Sequence, residues 1–359
     1  MPCRGCGSER LDTILDLGRQ PAADFFPPAD SPVDDPTHPL AMALCPSCAL
    51  AQLAEDDTVT EEPRGVEPLA LIDQAVDAVD RVSTAGWFEG RSTVREFGSP
   101  HGGSWLGHLG ARGLQPVDEK PADVVVDCFG IMHSPDQRAA FADRRDALAP
   151  GGVLLLQFHS LATIVDQGQW NALRHGHFAY YSMTALRSLL RGCGLTMSDL
   201  WSFDLYGGTY LVAATADPGA VEPERVQEIL AEEHRRGLHT VAGTSALQHA
   251  ADANATRLRQ WLEDSRRRGH TVAAYGAASR AVALLARAGI TRDLLVSVAD
   301  ASPGKHGRRM PGTDIPIVSP ATLVASAPDA VLLTVPDLLL ELERTLPELA
   351  GRWVVDPVD

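Results

Sequence analysis

The chain has 359 residues, 45% hydrophobic and 22% charged, proportions of a folded protein long enough for two or three cored domains. A formal net charge of -16 excludes the positive surface that non-specific nucleic-acid binding needs, while leaving room for a local basic pocket around one small anion. Six cysteines in this length do not make a disulfide framework. Neither a leader-like start nor an apolar run of roughly 20 residues is seen, so a cytoplasmic protein is expected.

The first stretch, residues 1–60, is Pro-rich, lacks helical periodicity and holds Cys3-Arg4-Gly5-Cys6 and Cys45-Pro46-Ser47-Cys48. Two such pairs supply four thiolates for a tetrahedral zinc ion, which staples a loop-rich module that has little core of its own. Four protein ligands leave no open position, so the predicted zinc is structural. A redox dithiol is the alternative, without a thioredoxin-like strand-to-helix unit around either pair.

Apolar positions Leu69, Ile72, Ala75, Val76, Val79 and Val82 predict an amphipathic helix over 67–87. Thr93 to Gly98 reads as a strand, Ser99 to Gly103 as a glycine turn, and Ser104 to Arg112 as a helix. That arrangement lets backbone N–H groups approach a ligand. A short strand from Leu114 to Asp118 follows, then a buried strand Ala122–Cys128, a loop containing His133, and a helix from Gln137 to Ala147. Ala149-Pro150-Gly151-Gly152 leads into a strand ending near Phe158, with His159 just past it, facing the expected cleft.

Arg174-His175-Gly176-His177-Phe178-Ala179-Tyr180-Tyr181-Ser182 is the densest cluster of proton-transfer side chains in the chain. The structural alternative is that these residues only cap and staple the helix that begins near Ser182. Two strands flank Tyr206-Gly207-Gly208-Thr209, and residues 223–268 are helical. A second glycine turn, Thr271 to Arg280, opens the last domain, whose second strand ends at Asp300. Lys305 to Thr313 forms a basic loop. The expected fold is α/β: a small zinc-binding module plus two Rossmann-like parallel-sheet domains, residues 61–222 and 223–359.

In this order the motifs resemble the sugar C-methyltransferase family of antibiotic biosynthesis, which combines a zinc module, a class I S-adenosylmethionine domain and a Rossmann-like C-terminal domain. The resemblance rests on the two Cys pairs, Glu96-Phe97-Gly98, the Pro150-Gly151-Gly152 turn, His133, the His175-Gly176-His177 stretch with Tyr180 and Ser182, Gly207-Gly208-Thr209, Tyr275-Gly276-Ala277 and the Lys305 loop. It implies methylation of a carbon beside a ketone on a nucleotide-linked deoxysugar, where a base must first remove the C–H proton. By resemblance His177 is the base and His133 holds or polarises the sugar oxygen; His175 and Arg174 are the further catalytic candidates of the same stretch, Arg174 being able to pair with a carboxylate or phosphate of the ligand. Glu96, Gly98, Gly102, Asp118 and Cys128 would line the cofactor site. Tyr180, Gly208, Gly276, Arg280 and Lys305 would hold the substrate, with backbone N–H groups near Gly276 on its diphosphate.

Arg174 and Gly176 stand where the family has a tyrosine and a glutamate, and Glu62 to Val66 replaces another tyrosine-containing stretch. Between Gly102 and Asp123 the chain has residues for one helix and one short strand only. Asp118 is the one candidate ribose acid, and no adenine wall is evident, so S-adenosylmethionine binding stays open. The alternatives are a cofactor-independent isomerase, epimerase or lyase, and a non-catalytic sugar-nucleotide binder.

Overall fold

Three sheets organise the computed structural model, which describes residues 1–58, 67–99 and 103–355. The first joins β1 (Asp12–Pro21), β2 (Thr37–Leu44) and β3 (Ala51–Leu53) in antiparallel order. Its last strand, Ala179–Tyr180, comes from the middle of the chain: Ala51 pairs with Tyr180 and Gln52 with Ala179. The histidine-rich stretch is therefore welded to the N-terminal module by main-chain hydrogen bonds, a link that no local pattern announces.

The second sheet contains β4 (Thr93–Phe97), β5 (Gln115–Pro116), β6 (Ala122–Cys128) and β7 (Leu148–His159). After β8, the Ala179–Tyr180 strand, it is completed by β9 (Thr196–Phe203) and β10 (Thr209–Thr215). The order is β5-β4-β6-β7-β10-β9, with the first four parallel and β10 antiparallel to both neighbours. β6 and most of β7 are apolar and buried because helices cover both faces. The chain leaves β4 for β5 on one side and then β6 on the other, so the switch point lies between β4 and β6, where such sheets bind ligands.

The third sheet is parallel, with β11 (Val272–Tyr275), β12 (Val298–Ala299), β13 (Ile317–Val318), β14 (Ala330–Leu333) and β15 (Trp353–Val354) in the order β13-β12-β11-β14-β15. The mixed α/β architecture with parallel sheets is as expected. The amphipathic helix runs Leu69–Thr84 and buries Ala75, Ala78, Val79 and Val82 at helical spacing. Ser182 does cap the helix Met183–Gly192, accepting from the Ala185 N–H. Two expectations shrink: the strand at Leu114–Asp118 is the two-residue β5, and the helix after the glycine turn spans only Leu106–Gly110. No helix among the described residues is long and apolar enough to cross a membrane.

The four thiols of Cys3, Cys6, Cys45 and Cys48 converge, their sulfurs all within 4.8 Å of one another. Cys3 to Cys48 and Cys6 to Cys45 are both 3.6 Å, close to the edge of about 3.8 Å that a tetrahedron of 2.3 Å Zn–S bonds requires. Each knuckle closes on itself: the Gly7 N–H donates to the Cys3 carbonyl and the Ala49 N–H to the Cys45 carbonyl. The residues fit a structural zinc ion. Cys3, Cys45 and Cys48 pack in the same core as Leu186, Leu189 and Leu190 of the second domain, so the ion would brace the docking of the module as well as its loops. The purified protein should carry one zinc per chain by elemental analysis. Cys45→Ser should lower both that content and the melting temperature; a metal-free protein of undiminished stability would contradict this.

A buried ion pair ties the module to the third domain. Arg309 donates to both carboxylate oxygens of Asp35 at 2.6 and 2.7 Å, and the Gly312 N–H adds a third bond. The side chains are only 1% and 7% exposed. Burial raises the Asp35 pKa, but the Arg309 and Gly312 hydrogen bonds overcome it and hold the carboxyl below its ordinary value. The pair's contribution is therefore complete above a pH of about 4 and is lost as pH falls through the depressed value. Asp35→Ala, which strands the guanidinium, should cost about 3–5 kcal/mol in denaturant unfolding at neutral pH.

Candidate active site

A cavity of ≈ 310 Å³ opens where the carboxyl ends of β4, β6 and β7 face the turn after β11 and the helix Ser279–Arg287. It lies at the switch point of the second sheet, with the third domain as its opposite wall. Arg174, His177 and Tyr180 line it, and so do Glu96, Gly98, Cys128, His159, Tyr206, Gly276, Arg280 and Lys305.

Gly176 takes φ +78°, a left-handed turn that turns its N–H onto the Asp56 carboxylate at 2.7 Å. The module thus places a carboxylate beside the stretch that itself lacks one. Arg174 Nε donates to His177 Nε2 at 2.7 Å, and its guanidinium also donates to the Ser279 hydroxyl across the cavity. Tyr180 spends its hydroxyl on the loop, accepting from the Arg174 N–H and donating to the Ala172 carbonyl, both at 3.2 Å. Burial raises the pKa of that phenol.

Two of the histidines do not stand where the resemblance implies. His133 lies behind His177, its Nδ1 on the Gly176 carbonyl at 3.0 Å and its ring edge-on to that of His177 at 4.4 Å, and it is not among the cavity-lining residues. Its ring packs against that of His177 outside the cavity lining. His175 points the opposite way: it is 1% exposed, bonded to the Pro39 carbonyl at 3.1 Å and edge-on to His38. Burial lowers its pKa, so it is a neutral strut between the module and the stretch.

Among the expected cofactor residues, Glu96 binds the Ser104 hydroxyl and the Trp105 N–H, both at 2.6 Å, and so anchors the start of the helix Leu106–Gly110. Cys128 ends β6, and burial pushes its thiol pKa well up, so it stays protonated. Gly102, with Pro100 and His101, falls outside the described residues, as does Glu62 to Val66. Asp118 is exposed and outside the cavity, because two-residue β5 ends before it can carry the acid to the strand-end crevice. The described part of the sheet ends at β5, with no further strand to bring an adenine wall. The described residues supply the floor of a class I cofactor site, while an acid for the ribose and a wall for the adenine are not found among them.

The substrate-side expectations divide as well. Gly276 lines the cavity at φ +100°, where a Cβ would meet Thr334 at 2.5 Å, but its N–H is taken by the Ala299 carbonyl and that of Ala277 by Asp300. Those two N–H groups cannot hold a diphosphate. Lys305 is 4% exposed, donates to the Ala277 carbonyl at 2.8 Å and sits 3.8 Å from Asp300, so it locks the turn instead of offering a free charge. Gly208 lies outside the cavity; a Cβ there would strike Thr163 at 2.6 Å. Arg280, expected to hold the substrate, lines the cavity. It is half-buried, its guanidinium is 5.4 Å from the Tyr206 ring centre, and no carboxylate among the described residues lies within ion-pair distance. Burial lowers its pKa, and Arg174 lowers it further.

Sequence reading passed over Tyr206 and Phe129, non-glycine residues held at φ +56° and +60° with rings 5.8 Å apart. Left-handed backbone at such residues is costly and clusters at functional sites. The adjoining Gly207-Gly208 pair was the available signal. It also passed over Ser279 and Asp56, which offer no motif.

Comparison with known proteins gives three family models in the same order along the chain: a zinc-binding domain over 3–61, a methyltransferase domain over 43–200, and a C-methyltransferase C-terminal domain over 204–356. The C-methyltransferase NovU of Streptomyces niveus is 26% identical over an alignment covering 98% of this chain and 94% of the relative. Similar solved structures include magnesium protoporphyrin IX methyltransferase from Synechocystis, 11% identical over 42% of this chain and 84% of its own, with a TM-score of 0.31. An O-methyltransferase family protein from Burkholderia thailandensis is 16% identical over 42% and 58%, also with a TM-score of 0.31. Matched in order by a zinc-binding, a methyltransferase and a C-methyltransferase C-terminal domain model, and similar over nearly its whole length to a C-methyltransferase, the chain is an enzyme built like the three-part C-methyltransferases.

Proposed function

We propose that the protein acts at the carbon beside a ketone on a nucleotide-linked deoxysugar or a related activated keto compound of secondary metabolism. A histidine in the cavity removes the proton, and methylation of the resulting carbanion is the family outcome. The observation that carries this reading is the joint presence, in one cavity, of the imidazoles of His177 and His159 and of Arg280, a half-buried guanidinium without an ion-pair partner among the described residues. Such a cation calls for an anionic ligand, and a diphosphate placed there sets a sugar ring toward Arg174 and the histidines. Arg174 is suited to stabilise the oxygen on which enolate charge develops, because its guanidinium is already fixed by His177 and Ser279. Four paired thiols suited to zinc agree with a reducing, cytoplasmic setting.

A second reading, cofactor-independent isomerisation, epimerisation or elimination through the same enolate, is favoured by the exposed position of Asp118 and the short β5. One incubation separates the readings. Thymidine-diphosphate-linked 4-keto-6-deoxyglucose in deuterated buffer should take up deuterium beside the ketone. A methylated product on adding S-adenosylmethionine, together with heat of binding for that compound in titration calorimetry, supports methyl transfer. Deuterium uptake without either supports the second reading, and no uptake and no methylation would refute both.

A further inference from the structure

We propose that Tyr206 is a catalytic residue of this cavity, its phenol donating a hydrogen bond to the ketone oxygen as enolate charge develops there. The assignment rests on the enolisation reading above and adds a residue to it. Tyr180, Tyr181, Tyr206 and Tyr275 line the cavity. Two of them have hydroxyls engaged inside the protein: Tyr180 donates to the Ala172 carbonyl and Tyr181 to the Gln137 side chain. The Tyr206 hydroxyl has no hydrogen-bond partner among the described residues and is not sealed from solvent. The charged groups that act on it are Arg280, Arg174, Asp337 and Glu67, and every one of them lines the same cavity. The phenol is therefore an uncommitted donor that opens on the ligand space.

Charge separates Tyr206 from Tyr275, whose hydroxyl is also without a hydrogen-bond partner among the described residues. The charged neighbours of Tyr275 are Asp300 and Glu341. Two carboxylates repel an oxygen that gains negative charge, whereas Arg280 and Arg174 beside Tyr206 attract it. The remainder of Tyr206 is fixed. Its N–H donates to Asp337 at 3.2 Å, and its carbonyl accepts from Gln169 Nε2 at 3.0 Å. Phe129 meets the ring edge-on at 5.8 Å, the His159 ring lies 6.0 Å away, and the Arg280 guanidinium is 5.4 Å from the ring centre. The backbone is held at φ +56°, a costly conformation for a residue with a side chain and one that clusters where a side chain must be aimed. A donor fixed beforehand needs no reorganisation when charge appears on the substrate oxygen.

Burial outweighs the two arginines and raises the Tyr206 pKa, so at neutral pH the phenol is protonated, the form that donates. In the step itself, the histidine base takes the proton from the carbon beside the ketone. The C–H electron pair becomes the C=C bond of the enolate, and the carbonyl pair moves onto oxygen. That oxygen accepts a strengthened hydrogen bond from Tyr206 beside the Arg174 guanidinium, and the phenol keeps its proton. Return of the proton from the imidazolium to carbon regenerates the ketone, with deuterium in place of hydrogen in deuterated buffer.

The test uses the full chain with thymidine-diphosphate-linked 4-keto-6-deoxyglucose, reading deuterium uptake by NMR. Tyr206→Phe removes the hydroxyl and keeps the ring that packs on Phe129 and Arg280. It should exchange about 10²-fold more slowly than the parent, the loss expected for one donor to a developing oxyanion, with affinity for thymidine diphosphate within about threefold and an unchanged melting temperature. Tyr275→Phe should slow exchange about tenfold less than Tyr206→Phe does, since its hydroxyl lies among carboxylates. A Tyr206→Phe protein exchanging within about threefold of the parent would overturn the assignment, as would a Tyr275→Phe protein slowed as much as Tyr206→Phe. A loss of exchange in Tyr206→Phe matched by an equal loss of thymidine diphosphate affinity would also overturn it, because the hydroxyl would then serve ground-state binding. A parent protein that exchanges nothing would refute the enolisation reading itself, a distinct result.

Discussion

The guanidinium of Arg174 donates to His177 in its own loop and to Ser279 at the head of a third-domain helix. Its backbone N–H is held by Tyr180, which belongs to a strand of the N-terminal sheet. One residue therefore draws together the zinc module, the methyltransferase-like sheet and the C-terminal domain, and the cavity exists because those three surfaces are held at this spacing. Asp35 and Arg309 clamp the first and third of them from the far side. The four thiols hold the module on which β8 is paired. A loss at any of these points is felt at the cavity.

The electrostatics are local. Arg174, Arg280 and Lys305 line one cavity together with the carboxylates of Glu67, Glu96, Asp300, Asp337 and Glu341. These cations are not equivalent, because Lys305 is balanced by Asp300 and bound to a carbonyl, and Arg174 is committed to His177 and Ser279. Arg280 has no carboxylate at ion-pair distance among the described residues, and burial first, then Arg280 and Arg174, lowers the His159 pKa.

Much of the fold was legible because its signals are local. The paired Cys-x-x-Cys spacing, the apolar run of β6 and the glycine turns before helices each mark an element within a few residues. The zinc ligands and the cleft position of Arg280 and His177 followed. What could not be read depends on distant partners. His175 faces Pro39 and His38 because β8 pairs with β3, and the Gly276 and Ala277 N–H groups are consumed by Ala299 and Asp300. The failure of Asp118 reflects strand length: β5 ends after two residues, so the acid stays at the surface. Departures from the family at Arg174 and Gly176 were visible as letters. Their consequence, an arginine on the lone pair of His177 and a carboxylate borrowed from Asp56, required the packed structure.

The central claim is that this cavity holds a nucleotide-linked anion through Arg280, and titration calorimetry with thymidine diphosphate on the parent and on Arg280→Met tests it most directly. The parent should bind, and the variant, unchanged in melting temperature, should bind about tenfold or more weakly, the loss expected for one charge-assisted contact in a partly buried site. Equal affinity in the two proteins, or no binding to the parent, would contradict it.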